Sequence, residues 1–354
     1  MALAAATLAL GIAHPAAAQE IAYFADTGPL RVRDQFLLNM AFLALDPAPA
    51  TVLGRGEWQI DAVLTATNTF AHSAAVADFL EAGRERRQLT LDELRSLPTG
   101  DEGIFQLDAE VYRTAITLRR GIGRRLQLEL LIPVLAFQGG FADGIIEDFH
   151  DAFGFGQSGR LGVPRDGYLV YVRRRDGELL VDRSPTSGLG DLVLGAKLDL
   201  RRQPGPLLLA LQGQVKLPTG DQERLYGSGA ADAGVQLLAS RYFRRSCVHA
   251  SAGLVYLGAW DALGTKDQVR ASAMAGYEHA LGRRVSAILQ ATVSQSPFDR
   301  LDLEELSAVS YQASAGLKVA AGERGMLFVA FTENLVHFDN TADIGLHLGF
   351  SRGF

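Results

Sequence analysis

Read backwards from Phe354, the chain is a succession of segments of about ten residues in which apolar and polar side chains alternate. A period of two sends successive side chains to opposite faces of a β-strand. About ten residues is also the length that a tilted strand needs to cross a bilayer. The gaps between segments are alternately short and long. Gly121–Arg125, Arg201–Gly205, Arg244–Arg245, Gly282–Arg284 and Gly322–Gly325 are short, whereas Pro218–Ala230, Gly258–Asp267, Gln295–Leu306 and His337–Ala342 are longer and polar. Tight turns at one end and long loops at the other predict an all-β fold. It is a transmembrane up-and-down antiparallel β-barrel of about 12 strands, whose long extracellular loops carry short helices. An even strand count returns both termini to the periplasmic side, and closure leaves no unpaired edge in lipid.

The rest of the composition agrees. Hydrophobic residues make up 48% of the chain, yet they are spread at every second position, and no apolar run is long enough for a membrane-spanning helix. A net charge of −6 and the absence of a basic stripe argue against a nucleic-acid partner. The single cysteine, Cys247, excludes a disulfide framework and reads as a small residue at a strand start. At the N-terminus, Ala2–Ile12 form a short apolar core and Ala16-Ala17-Ala18 precede Gln19, which predicts an export signal over residues 1–18, although no basic residue follows Met1. Residues 19–55 are expected to be a pre-barrel segment. Its apolar stretch Phe36–Leu45 and linker Asp46–Ala50 suit either a plug in the lumen or a tether beneath it. Residues 56–354 are then the barrel, with long loops over 71–108 and 139–188. The implied location is a bacterial outer membrane, with its lipid as a partner.

Individual strands show which face meets lipid. Trp58, Ile60, Ala62 and Leu64 oppose Gln59 and Asp61; Leu126, Leu128, Leu130 and Ile132 oppose Gln127 and Glu129. Val285, Ala287, Leu289 and Ala291 oppose Ser286, Gln290 and Thr292. At Leu211–Gln212 a bulge or a misplaced strand boundary is expected. The hairpin Tyr168–Arg183 around Asp176-Gly177 is short and charged, and is assigned to an extracellular loop. Aromatic residues near strand ends, Trp58, Tyr242, Phe243, Phe328 and Phe354 on one side and Phe70, Phe137, Tyr256 and Tyr311 toward the other, are expected to form interfacial girdles.

Several stretches together resemble an uncharacterised proteobacterial outer-membrane barrel family, known only as a domain of unknown function. They are Gly28-Pro29-Leu30 with Arg33-Asp34-Gln35, and Gly139-Gly140-Phe141 running through Asp143-Gly144-Ile145-Ile146-Glu147-Asp148-Phe149-His150-Asp151-Ala152-Phe153-Gly154. The turn Lys216-Leu217-Pro218-Thr219-Gly220-Asp221 is similar to one in that family and in other outer-membrane barrels. The resemblance implies a fold and a location, and no activity. The C-terminal His347, Gly349 and Phe354 resemble the signal read by barrel-assembly machinery, implying that partner for the last strand; Arg352 departs from the apolar residue the signal carries.

Two constellations could carry chemistry. On a helix, Asp143, Glu147, Asp148, His150 and Asp151 form an acidic patch that could hold Ca²⁺ through oxygen ligands or simply face water. No other cofactor is expected. The segment 139–159 is also expected to pack at the barrel mouth through Phe149, Phe153 and Phe155 and to limit access to the lumen. Asp61, Arg113, Glu129, Asp191, Lys197, Asp199, Lys216, Asp232, Arg270, Glu278 and Lys318 are expected to line that lumen. Their mixed signs suit a salt-bridge network or a weakly selective pore better than a one-sided charged ring. A lipid-facing hydrolase would need a Ser beside His279, and none is expected there; inward, His249 and Ser251 are too splayed for a dyad. The sequence therefore favours a passive channel or uptake protein for a small, unidentified solute. The alternatives are a plugged structural or surface barrel without conductance, and a membrane-embedded hydrolase.

Overall fold

The structure, a computed structural model, describes residues 27–82, 86–99, 102–154, 156–157, 159–175, 177–180, 186–201, 205–301, 303–336 and 340–354. The expected export signal over 1–18 lies outside them, as do Asp176, Phe155 and the side chains of Phe149 and Phe153. In chain order the strands are β1 (Trp58–His72), β2 (Ile104–Gly121), β3 (Leu126–Gln138), β4 (Leu169–Arg174), β5 (Gly177–Leu180), β6 (Thr186–Leu189), β7 (Val193–Asp199), β8 (Leu207–Lys216), β9 (Asp232–Phe243), β10 (Ser246–Leu257), β11 (Gln268–Ala280), β12 (Val285–Ser294), β13 (Ser310–Ala320), β14 (Gly325–Asn334) and β15 (Ile344–Gly353). Four helices accompany them: α1 (Ala74–Ala82), α2 (Leu91–Ser96), α3 (Asp143–Phe153) and α4 (Glu304–Ser307).

Strands β7 to β15 pair antiparallel in sequence order, β15 pairs with β1, β1 with β2, β2 with β3, and β3 with β7. That closes a barrel of 12 strands. At the short-turn end, Trp58 and Phe354 exchange backbone hydrogen bonds of 2.9 Å each way, so the first and last strands finish level. Strand β8 pairs without interruption with β9 from Leu207 to Lys216 and with β7 from Ala210 to Lys216. The bulge expected at Leu211–Gln212 is thus absent, because those two residues already alternate out and in.

Leu64, Leu128, Leu289 and Leu348 stand on the exposed outer face, while Asp61, Gln127, Gln290 and His347 beside them are buried within. A closed cylinder with an apolar exterior, short turns at one end and long loops at the other is an outer-membrane barrel.

Above the membrane the wall is taller than expected. Residues 110–121 of β2 pair with β3, but 104–108 continue upward and pair with β4, which in turn pairs with β5. Strand β2 therefore starts inside what reads as the first loop. The sequence hides this because both faces are covered there. Phe105, Leu107, Ala109 and Val111 turn inward to one apolar cluster, and Ile104 packs outward with Phe70, Leu169 and Tyr171 against α1, α2 and Val163 in a second. Helix α2 begins at a capping box in which Thr90 and Glu93 satisfy each other's backbone.

This taller wall corrects two expectations. Phe70 and Phe137 are not girdle residues: Phe70 lies under the outer helices and Phe137 in the inner cluster, while Phe328 packs inward against Leu30 and Val32. Nor does the 139–159 segment sit across the mouth. Asp143 accepts from Asn68 Nδ2 (3.1 Å), and Glu110 accepts from the backbone N–H groups of Phe141 and Ala142 at 2.7 and 2.5 Å. Asn68 and Glu110 are on the outer face, so α3 lies against the outside of the wall. Gly140 is required there, since its φ is +80° and a Cβ would fall 1.8 Å from the Glu110 carboxyl carbon.

The lipid-facing assignment is testable at Leu348, 57% exposed and in the middle of β15. Leu348→Arg should destabilise the barrel by about 2–4 kcal/mol in lipid vesicles, the depth-dependent cost of a cation on the lipid face. Unfolding in urea with no loss of stability would mean that this row does not meet lipid.

Candidate functional site

The barrel interior is occupied by its own chain. Residues 27–57 run up one side of the lumen and back down the other. Gly28 and Leu30 lie low: Lys318 Nζ donates to the Gly28 carbonyl, and Gln290 Nε2 donates to that of Leu30 at 3.2 Å. The chain rises to a 3₁₀ turn, Leu37–Ala41, near the long-loop end. There Phe42 meets Trp260 and Phe298 edge-on, with ring centroids 5.7 and 6.0 Å apart. With Phe36, Leu38, Leu225 and Leu303, these residues seal the upper mouth with apolar surface. On the way down, Leu43 N–H donates to Asp232 (2.8 Å), Gln236 Nε2 to the Asp46 carbonyl (3.1 Å) and Lys197 Nζ to the Pro49 carbonyl (3.0 Å). Last, Leu53 N–H donates to Gln127 (2.9 Å) at the short-turn end.

An irregular segment in a dry lumen must find a partner for each backbone polar group. Here Lys and Gln side chains on the inner wall supply those partners.

The charged residues expected in the lumen separate into three clusters and three outliers. Asp61, Glu129 and Lys197 join Arg119 and the plug's Arg31: Arg31 pairs with Asp61 at 2.5 Å, Arg119 bridges Asp61 and Glu129, and Lys197 lies 3.5 Å from Glu129. Asp191 and Asp232 flank Lys216 at 2.8 and 3.2 Å, and Lys216 also donates to the Ala41 carbonyl at 2.7 Å. Glu278 and Lys318 pair at 3.0 Å. Among the outliers, Asp199 pairs with Arg201, Arg270 with Asp299, and Arg113 faces Asp46 of the plug at 3.7 Å.

The Lys216–Asp221 turn has a local role in this arrangement. Gly220 N–H donates to Asp191 (2.7 Å), and Thr219 Oγ1 accepts from Leu192 N–H (2.9 Å), so the turn orients the carboxylate that Lys216 needs. Sequence reasoning missed Arg31, Arg33 and Asp46 because they belong to the plug, where no period marks an inward face; Arg119, also missed, shares the parity of Arg113 on β2, which is the signal that places it inward.

Two serine–histidine arrangements bear on the hydrolase reading. Ser240 Oγ lies 2.8 Å from His249 Nδ1, and His249 Nε2 lies 3.0 Å from Glu278. All three residues are at most 2% exposed, so no substrate reaches the hydroxyl; the trio ties neighbouring strands to Lys318 and the plug. On the outer face, Ser246 pairs across strands with His279, Oγ to Nδ1 at 2.8 Å. This overturns the expectation that no outward Ser stands beside His279; their register, invisible in sequence, aligns them. Tyr277 also hydrogen-bonds Ser246 at 2.7 Å, and among the described residues no carboxylate orients His279. The pair lacks the third group that activates a nucleophile.

Of the acidic patch on α3, Asp143 pairs with Arg160, which also reaches Asp343. Glu147 is held by Arg86 and Arg165 at 2.8 and 2.7 Å. Asp151 accepts from Gln157 at 2.8 Å, His150 contacts the Gly156 carbonyl at 3.0 Å, and Asp148 faces solvent. The carboxylates diverge toward arginines, and among the described residues no group of three or more His, Cys, Asp or Glu side chains could hold a metal ion.

Two measurements follow. The Arg86 hydrogen bonds, then those of Arg165, hold the Glu147 carboxyl down at about 2 against its ordinary 4.5. A depressed carboxylate contributes stability above its unfolded value and loses it as pH falls through the folded one. Hydrogen exchange in α3 should therefore accelerate between about pH 4.5 and pH 2, and Glu147→Gln should remove that dependence. Inside the barrel, Lys216→Met leaves Asp191 and Asp232 buried without their cation. A loss of about 3–5 kcal/mol is expected, recovered in part by adding Asp232→Asn. An unchanged unfolding midpoint would show that Lys216 does not neutralise the pair.

Comparison with known proteins agrees with this architecture. The Pseudomonas putida F1 COG4313 outer membrane channel superposes with a TM-score of 0.55 at 14% identity, covering 88% of this chain and 100% of that one. The NanC porin gives a TM-score of 0.45 at 5% identity, covering 82% and 98%. The P. putida toluene transporter TodX gives 0.40 at 10%, covering 91% and 98%. At such identities the first superposition speaks for the fold alone. No curated protein matches the chain. The family described as "Protein of unknown function (DUF3187)" matches residues 8–354, and the chain, an outer-membrane barrel closed over an internal segment, belongs to that family.

Proposed function

We propose that this barrel is a channel or uptake protein for a small solute, held closed by its own plug. The observation that carries the reading is the way the plug is seated. Below its apolar tip it touches the wall through hydrogen bonds, ion pairs and small apolar contacts at Leu30, Val32, Ala48 and Ala50, with cavities left on both sides. One, of about 110 Å³, lies between the plug and β10–β12 beside Ser251, Ser272, Thr292 and Ser294. A wider vestibule of about 650 Å³ opens at the short-turn end beside Thr27, Leu53 and Trp58. A filler kept only for stability would be packed to the density of a protein core, whereas polar contacts exchange with water at small net cost.

The apolar seal around Trp260 favours the second reading, a structural barrel without conductance. The hydrolase reading has no support beyond the incomplete Ser246–His279 pair.

Deletion of residues 27–53, leaving β1 intact, separates the first two. In planar bilayers the shortened barrel should show frequent conducting steps where the full chain shows few. If the folded deletion variant is as silent as the full chain, the structural reading stands.

A further inference from the structure

The lumen holds one place where charge is left incomplete. A cavity of about 60 Å³ lies between the plug and the wall made by β1–β3, β7 and β8. Most cations on its lining have a close carboxylate, Arg31 on Asp61 at 2.5 Å and Lys216 on Asp191 at 2.8 Å. Arg113 does not. It is 4% exposed, donates no hydrogen bond among the described residues, and has only Asp46 at 3.7 Å. Asp46 is incomplete in turn, its buried Oδ1 having no hydrogen-bond partner. Arg33 lines the same cavity and donates only to main-chain carbonyls, to Asn39 at 2.8 Å and Phe42 at 3.3 Å. Two guanidinium groups thus border one cavity, and the carboxylate nearest Arg113 is poorly placed for it. The lining also holds Asp61, Glu129 and Asp191, each engaged by Arg31, Arg119 or Lys216, and apolar surface from Val63, Leu131, Leu135 and Val193.

We propose that this cavity binds a small carboxylate, which sits against Arg113 and Arg33 and replaces Asp46 as the counter-ion of Arg113. A planar guanidinium donates two parallel hydrogen bonds to a carboxylate, geometry that Asp46 at 3.7 Å does not reach. The volume admits a few waters or a ligand the size of acetate, with its methyl against the apolar wall. Asp46 belongs to the plug, so its displacement removes an ion pair that ties the descending leg of the plug to β2. The ligand therefore loosens the segment that closes the channel. This names a solute class for the channel proposed above and rests on that reading.

Trp260 is a built-in reporter, because it packs on Phe42 at the plug's tip. The chain has two tryptophans, and Trp58→Phe leaves Trp260 alone. Titration of this variant, full-length and folded in detergent, with sodium acetate should give a saturable change in emission. Acetamide at equal concentration should give none. Arg113→Met with Asp46→Asn removes both charges of the displaced pair together and should weaken the acetate response about tenfold or more. Arg33→Met, which leaves Arg113 with Asp46, should weaken it less. An equal response to acetamide, or one unchanged in the double variant, overturns the proposal. Conductance of the 27–53 deletion, measured without acetate, keeps the two readings apart. Conduction with no acetate response from the full chain sinks only the site; an acetate response with a silent deletion variant sinks the channel and leaves a ligand site in a closed barrel.

Discussion

Everything inside this barrel follows from the need to satisfy backbone polar groups where water is scarce. Eight strands make a cylinder that side chains alone can fill; twelve make a wider one. Here the space is taken by two passes of irregular chain, which brings its own unpaired N–H and C=O groups into the lumen. The inner wall answers with long polar side chains. Lys318, Lys216 and Lys197 reach main-chain carbonyls, and Gln290, Gln236 and Gln127 serve the positions between them. The wall's ionic clusters follow from the same need, since each buried lysine that serves the plug also needs a carboxylate nearby.

The plug changes character along its length. Its tip, Phe36–Leu45, is apolar and packs among Trp260, Phe298 and Phe105 at the level of the long loops. Its two legs mix ion pairs and hydrogen bonds with small apolar contacts at Leu30, Val32, Ala48 and Ala50. The tip resists water and the legs tolerate it, so the upper seal and the lower contacts respond to different perturbations. Substitution of Lys318 or Lys216 acts on the legs by leaving buried carboxylates without their cation. Substitution of Phe42 or Trp260 acts on the tip by leaving a void.

Much of the barrel was legible in the sequence because lipid on one face and polar groups on the other impose a period of two, as in β3 and β12. Legibility stopped where that asymmetry ends. The upper part of β2 is buried on both faces, so Ile104–Ala109 lose the alternation and read as loop. Phe70 and Phe137 sit at strand ends like girdle residues, and only the covering helices and the inner cluster show otherwise. Inward charges such as Asp61 and Arg113 could be placed on a face by parity. Their partners in the plug could not, since Arg31 and Asp46 lie on a segment without periodicity. The Ser246–His279 pair depends on the offset between two strands, which no single strand records.

One consequence comes from where the plug begins and ends. Thr27 and Leu53 border the same vestibule, together with Trp58 and Phe354 at the short-turn end. The described part of the plug is therefore a bight, a loop pushed in from one side, and it is not threaded through the barrel. A bight can be drawn out by tension on either leg without any chain end passing the loops at the far mouth. It can equally be inserted after the wall has closed. Topology thus leaves the order of closing and filling free, and sets no knot between the sealed barrel and an empty one.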